Sequence, residues 1–132
     1  MNIKIKTAIP EDWQIIQKLN NQVFISDKAH DEDLDMNWPF SKEGINYYKS
    51  VAKGKKAKCF IAYLDSEPVG YIVLSEKDFG YRKSKYVEIN NMGVDPRYRS
   101  QGIGHLLIGE GVKWTKTKKA TKLFVSAYWQ NE

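Results

Sequence analysis

The sequence is poor in the residues that most often announce a function. It holds one cysteine, Cys59, and two histidines, His30 and His105. A lone cysteine excludes an internal disulfide and a cysteine-based zinc site, and no metal site is expected. Cys59 opens the apolar run CFIAYL (59–64), where a small buried core residue is the expected role. No apolar run approaches the roughly 18 residues needed to span a bilayer, so no membrane association is expected. Charges run through residues 1–20 (Lys4, Lys6, Glu11, Asp12), so no signal peptide is visible and the expected location is cytoplasmic. Internal repeats, low-complexity segments and linkers are also missing. The 132 residues are therefore expected to form one domain, 1–132, with a single chain of elements around a real core.

Positive charge is present in excess. The net charge of +5 and a pI near 9.2 imply some affinity for anions. The distribution is uneven: HDEDLD (30–35) is acidic, whereas YRKSKY (81–86) and KWTKTKKATK (113–122) are basic. Lysine-rich helical surfaces are ordinarily just solvated, and lysines near a helix C-terminus suit its dipole. Nucleic-acid binding through the two basic segments is thus kept as a lesser alternative.

Ile3 and Ile5 alternate with Lys4 and Lys6, the period of a half-buried strand. Pro10, Glu11 and Asp12 read as a helix start, and Trp13, Ile16, Leu19 and Val23 form an apolar stripe to about Phe24. Residues 26–41 are loop-like. A second helix is expected from Ser41, as N-cap, to Ala52, with Gly54 just beyond. AKCFIAYL and PVGYIVLSE, joined by the polar DSEP, predict an antiparallel hairpin. YVEINNMGV is a further strand, and a helix follows from Gly102 to about Thr117 with Ile103, Leu106, Leu107 and Trp114 on one side. LFVSAYW (123–129) is the last strand. The order βα(α)βββαβ predicts an α+β, mixed three-layer domain.

The most informative stretch is VDPRYRSQGIGHLL (94–107), which packs two arginines and two glycines between a strand and an apolar helix. A helix N-terminus exposes unpartnered N–H groups and partial positive charge. Glycines there let a phosphate approach the backbone, and Arg99 adds a fixed cation. The combination suits a pyrophosphate. A P-loop is ruled out because His105 follows Gly104 where lysine is required. A dinucleotide fingerprint needs a third glycine where Leu107 stands. A helix that merely packs closely through its glycines is the plainer alternative.

This stretch resembles the acetyl-CoA-binding motif of the GNAT superfamily of N-acetyltransferases, Arg/Gln-x-x-Gly-x-Gly/Ala, with Arg99, Gly102 and Gly104 in place after a strand ending in Val-x-Pro. The order of the other elements agrees. The resemblance implies a GNAT-like acyl-CoA N-acyltransferase fold with a mostly antiparallel sheet, and acetyl-CoA as co-substrate. It implies that the backbone of Arg99, Ser100, Gln101, Gly102, Ile103, Gly104 and His105 holds the pyrophosphate. The backbone of Met92 and Val94 would hold the pantetheine arm, and the Met92 amide would donate to the thioester oxygen. The acceptor is then a small-molecule or peptide amine, with residues 26–56 on its side of the site. The acidic run Asp31, Glu32, Asp33, Asp35 reads either as a solvated loop or as an attractor for a cationic amine.

An attacking amine must lose a proton, so a nearby carboxylate is useful. Strand alternation puts Glu88, Asn90, Met92 and Val94 on one face. Glu88 stands where some members of the superfamily carry a catalytic glutamate that works through water; the alternative is an ordinary polar residue on a sheet. His105 is expected to touch phosphate rather than move protons. Asn131 resembles the asparagine of a motif that precedes a helix with a thiolate-protonating tyrosine and the final strands. Those parts are expected to be missing, which leaves a strand edge that a homodimer is expected to cover. The leading expectation is direct transfer of an acetyl group from acetyl-CoA to a primary amine. The first alternative is a CoA-binding module of the same fold with weak or no turnover.

Overall fold

The alternation at the N-terminus gives a half-buried strand, β1 (Ile3–Thr7). It opens a computed structural model that describes residues 2–125. Strand β1 is followed by α1 (Trp13–Asp27), α2 (Lys42–Lys53), β2 (Lys58–Leu64), β3 (Glu67–Lys77), β4 (Tyr86–Val94), α3 (Ile103–Thr117) and β5 (Lys122–Val125), with short 3-10 turns at Pro10–Asp12, Trp38–Phe40 and Pro96–Tyr98. The strands lie in the order β1-β2-β3-β4-β5. Neighbours are antiparallel except β4 and β5, which run parallel. Of the strand expected over 123–129, positions 126–129 lie outside the described residues, as does Asn131.

Strands β2 and β3 are buried on both faces, which is why they read as continuous apolar runs rather than alternating ones. One face packs Tyr71, Val73 and Ile61 against Ile16 and Leu19 of α1 and Tyr48, Val51 and Ala52 of α2. The other packs Ile72, Leu74 and Val87 against Ile103 and Leu107 of α3. Each fully buried aliphatic side chain contributes about 1.5–3 kcal/mol. The result is three layers, helix pair, sheet and single helix. Cys59 is a core residue of the first interface, and burial pushes its thiol up to about 12.

The helix ends follow local chemistry. Pro10–Asp12 forms a 3-10 turn in which the Asp12 carboxylate accepts from the Ile9 N–H at 2.9 Å, so α1 proper begins at Trp13 and runs past Phe24 to Asp27. Ser41 caps α2: its Oγ accepts from the Gly44 N–H at 3.0 Å and donates to the Trp38 carbonyl at 2.7 Å. Gly54 ends the helix at a φ of +72°. Ser41→Ala is expected to cost about 1 kcal/mol, seen as a lower urea midpoint at unchanged slope. The hairpin turn is Asp65–Ser66, both residues at positive φ, the two-residue turn that matches strand twist. On α3 the buried line is Ile103, Leu107, Gly111 and Thr115. Leu106, expected on that side, is 47% exposed, because the helix seats on Leu74 and Ile72 through Gly111. No helix among the described residues is long and apolar enough to cross a membrane.

One irregularity reorganises β4. Val73 pairs with Asn91 but Leu74 pairs with Ile89, so Asn90 is an extra residue in a β-bulge. The bulge breaks the simple alternation. Val87, Ile89, Met92 and Val94 all pack toward α3. Glu88 opposes Ser75, and Asn91 bonds to residues of α1 and α2, on the opposite face. The expectation that Glu88, Asn90, Met92 and Val94 share a face is therefore corrected: Met92 and Val94 lie on one side, and Glu88 on the other.

Candidate functional site

The loop between β4 and α3 is fixed by an acid. Asp95 is only 3% exposed, and its carboxylate accepts from the Arg97 N–H at 2.9 Å, Nη2 at 2.9 Å and Nε at 3.3 Å. These bonds from Arg97 outweigh burial and hold the Asp95 carboxyl below its ordinary range. The Asp95 N–H donates to the Val69 carbonyl at 2.8 Å. Arg97 Nη2 and the Tyr98 hydroxyl each donate to Glu67 at 3.0 Å. Of the two arginines in the stretch, Arg97 is thus spent on the loop itself. Arg99 is the cation of the cleft, and it bridges from the Val94 carbonyl at 3.4 Å to Ser26 Oγ at 2.9 Å at the end of α1.

Beyond Arg99 the backbone turns left-handed twice, at Ser100 (φ +66°) and Gly102 (φ +82°), before α3 begins. Successive N–H groups in such turns form anion-binding concavities, and the first amides of α3 have no acceptor within the helix. Gly102 is needed for its φ. Gly104 is not: a Cβ built there meets no heavy atom within 4 Å. Its missing side chain leaves room at the cradle rather than serving the packing, which fits a ligand that approaches the backbone closely.

The cradle opens into a cleft of about 500 Å³. Of the residues singled out in the sequence, Met92, Val94, Arg99, Ser100, Gly102, Ile103 and Gly104 line it. Val23 and Asp27 of α1 form the facing wall. Gln101 and His105 are exposed and are not among its lining residues. Along β4 the described part of β5 pairs with Tyr86–Ile89, upstream of Met92 and Val94. The backbone of Met92 to Val94 and the amides of 99–105 are the groups that could hold a pantetheine arm and a pyrophosphate. Glu88 is elsewhere: it pairs with Lys77 Nζ at 3.5 Å, and it lines neither this cleft nor the next.

A second cleft, of about 440 Å³, shares Val23 and Asp27 with the first. Its floor is a polar network that links both helices of that layer to the sheet. Tyr71 Oη lies 2.7 Å from both Asn20 Oδ1 and Asn91 Oδ1. Asn20 Nδ2 donates to the Tyr48 hydroxyl at 2.6 Å, and Asn91 Nδ2 reaches Asn20 Oδ1 at 3.1 Å and the Tyr47 hydroxyl at 3.3 Å. Burial pushes the Tyr47 and Tyr71 hydroxyls up; Tyr71 donates within the network, and the Tyr47 hydroxyl accepts from Asn91. None of these residues was marked by sequence reasoning. The one signal is Asn20, a polar residue one turn after Ile16 on the apolar stripe of α1.

A mixed three-layer sheet whose fourth strand runs through a left-handed cradle into a helix defines a GNAT-like acyltransferase fold. The chain belongs to the acetyltransferase (GNAT) family, whose model matches residues 14–131. It is 28% identical over 83 residues to an uncharacterized N-acetyltransferase of Archaeoglobus fulgidus, a match covering 61% of this chain and 56% of that protein. The chain thus spans little more than half the length of that relative. Among solved structures, a possible acetyltransferase from Clostridium difficile 630 superposes with a TM-score of 0.77 at 19% identity, over 99% of this chain and 83% of that one. An aminoglycoside N-acetyltransferase in complex with CoA superposes with a TM-score of 0.74 at 17% identity, over 98% of this chain and 80% of that one.

Proposed function

We propose that this chain transfers the acetyl group of acetyl-CoA to a primary amine. The observation that carries the proposal is the open cradle at Gly104, continuous with Met92 and Val94 along one cleft. When bound, acetyl-CoA supplies an acetyl group activated as a thioester. The amides of residues 99–105 and Arg99 hold its pyrophosphate, and the edge of β4 at Met92 and Val94 holds the pantetheine arm. The Met92 N–H is the assigned donor to the carbonyl oxygen where charge develops during attack. Asn91, the neighbour of Met92, brings the floor of the second cleft next to that point, so the amine is assigned to the second cleft.

Glu88 is assigned as general base, acting through water from the α1/α2 face of β4. Its ion pair with Lys77 favours a second reading, a CoA-binding module with little turnover. Titration of acetyl-CoA by calorimetry, followed by thiol release with a panel of amines, separates them. Micromolar binding with amine-dependent thiol release supports the enzyme, and binding alone supports the module. Glu88→Gln is expected to lower kcat about 100-fold. A change under twofold would assign Glu88 to the sheet surface.

A further inference from the structure

The second cleft carries chemistry that an amine acceptor in general does not require. Its apolar wall is aromatic: Phe24 stacks on Trp38 at 6.0 Å with planes 14° apart, and Tyr47 lies 5.7 Å from Trp38. Asp27, Asp33 and Asp35 stand around it, all exposed. No lysine, arginine or histidine is among the described lining residues, in a chain that carries a net charge of +5. Among the described residues none of the three carboxylates has an ion pair. The first cleft, which adjoins this one at Val23 and Asp27, has Arg99 and the positive start of α3 at its far side, so charge of opposite sign gathers at Asp33 and Asp35 and at Arg99.

We infer that the acceptor is an organic polycation: an amine with an apolar stem and at least one further ammonium group. The inference rests on the acetyl-transfer reading of the same site. An inorganic cation is disfavoured, because among the described residues no group of three or more carboxylate, histidine or cysteine side chains is placed to hold a metal ion. The stem lies along Trp38 and Phe24, whose faces attract both methylene groups and cations. The distal ammonium sits in the field of Asp33 and Asp35 at the loop, where it remains charged. The reacting nitrogen reaches the floor beside Asn91 and Tyr47, adjacent to Met92. There the N–C bond forms as the C–S bond of acetyl-CoA breaks. The reacting ammonium gives up two protons, one to solvent and one to the CoA thiolate, and the product is an acetamide with one positive charge fewer.

The test uses spermidine, n-butylamine and L-glutamate as probes on the whole chain. Spermidine is expected to bind in calorimetry at low salt, and to weaken as NaCl is raised to half molar, since exposed charges are screened. Its kcat/KM is expected to exceed that of n-butylamine by about tenfold or more, from two exposed ion pairs of ordinary strength. Asp33→Asn with Asp35→Asn should bring that ratio toward one. Asparagine retains the carbonyl that accepts from the Asn37 N–H at 2.9 Å, so the loop keeps its shape. The Kd for acetyl-CoA reports on folding of the variant. If spermidine does not bind, or binds equally well to the double variant, the inference falls. Equal kcat/KM for spermidine and n-butylamine, or a preference for L-glutamate, overturns it also. If acetyl-CoA fails to bind, the transfer reading falls, while the spermidine titration still decides whether this groove takes a polycation.

Discussion

Replacing Gly104 by glutamate is expected to weaken acetyl-CoA binding by about 100-fold or more, roughly 2.7 kcal/mol, without unfolding the protein. The two halves of that expectation have separate causes. A Cβ at Gly104 meets no protein atom within 4 Å, so the folded chain accepts a side chain there. Any residue other than proline is a better helix former than glycine, by up to about 1 kcal/mol. A carboxylate in the first turn of α3 also suits the helix dipole. Thermal stability should hold or rise. The same carboxylate occupies the cradle and adds negative charge where phosphates belong. Calorimetry and a melting curve on one sample check both parts, and Gly104→Ala should give an intermediate loss of affinity. A melting point that falls together with the affinity would show that Gly104 serves the packing of α3, and the cradle assignment would be withdrawn.

Gly44→Ala is expected to have the opposite profile, destabilising the protein by about 3 kcal/mol. The new Cβ would overlap the Trp38 carbonyl oxygen and stand 3.0 Å from the Trp38 carbonyl carbon and 3.3 Å from that of Pro39. All three are backbone atoms, which cannot turn aside as a flexible side chain would. The Gly44 N–H is also the group that Ser41 caps, so any retreat of α2 loosens its own first turn. The alternative retreat moves the Trp38–Phe40 turn, and with it the ring that lies 5.8 Å from Tyr48 and 6.0 Å from Phe24. A lower urea midpoint, together with weaker spermidine binding, is the expected result. A midpoint shift below about 0.5 kcal/mol would mean that the turn can move freely, and that the aromatic wall is not held by α2.

Legibility in the sequence followed the range of the interactions involved. The start of α3 could be read because Gly102 and Gly104 act locally, through φ and through space at the backbone. The cap at Ser41, the stop at Gly54 and the turn after Leu64 were legible for the same reason. The face of Glu88 was misread because the bulge at Asn90 is set by pairing with Val73 and Leu74 of another strand. Alternation counts residues along one strand and does not register an insertion made by its neighbour. The network of Asn20, Tyr47, Tyr48, Tyr71 and Asn91 joins α1, α2, β3 and β4, so no window of sequence contains it. Arg97 and Arg99 look alike in sequence, and the folded positions of Asp95 and of Glu67 on β3 tell which one serves the loop.

The sheet keeps the two helical layers apart: among the described residues the buried clusters on its two faces have no member in common. Perturbations more than about 7–10 Å apart and without shared partners combine additively. Variation in α1, α2 and the loop between them can therefore reshape the aromatic and acidic groove while the seat of α3 is left alone. Outside the C-terminal end of α1, where Ser26 meets Arg99 and Val23 and Asp27 wall the first cleft, such a partition lets a lineage, or an engineer, exchange one half of the molecule at a time, because a change on one side of the sheet does not have to be matched on the other.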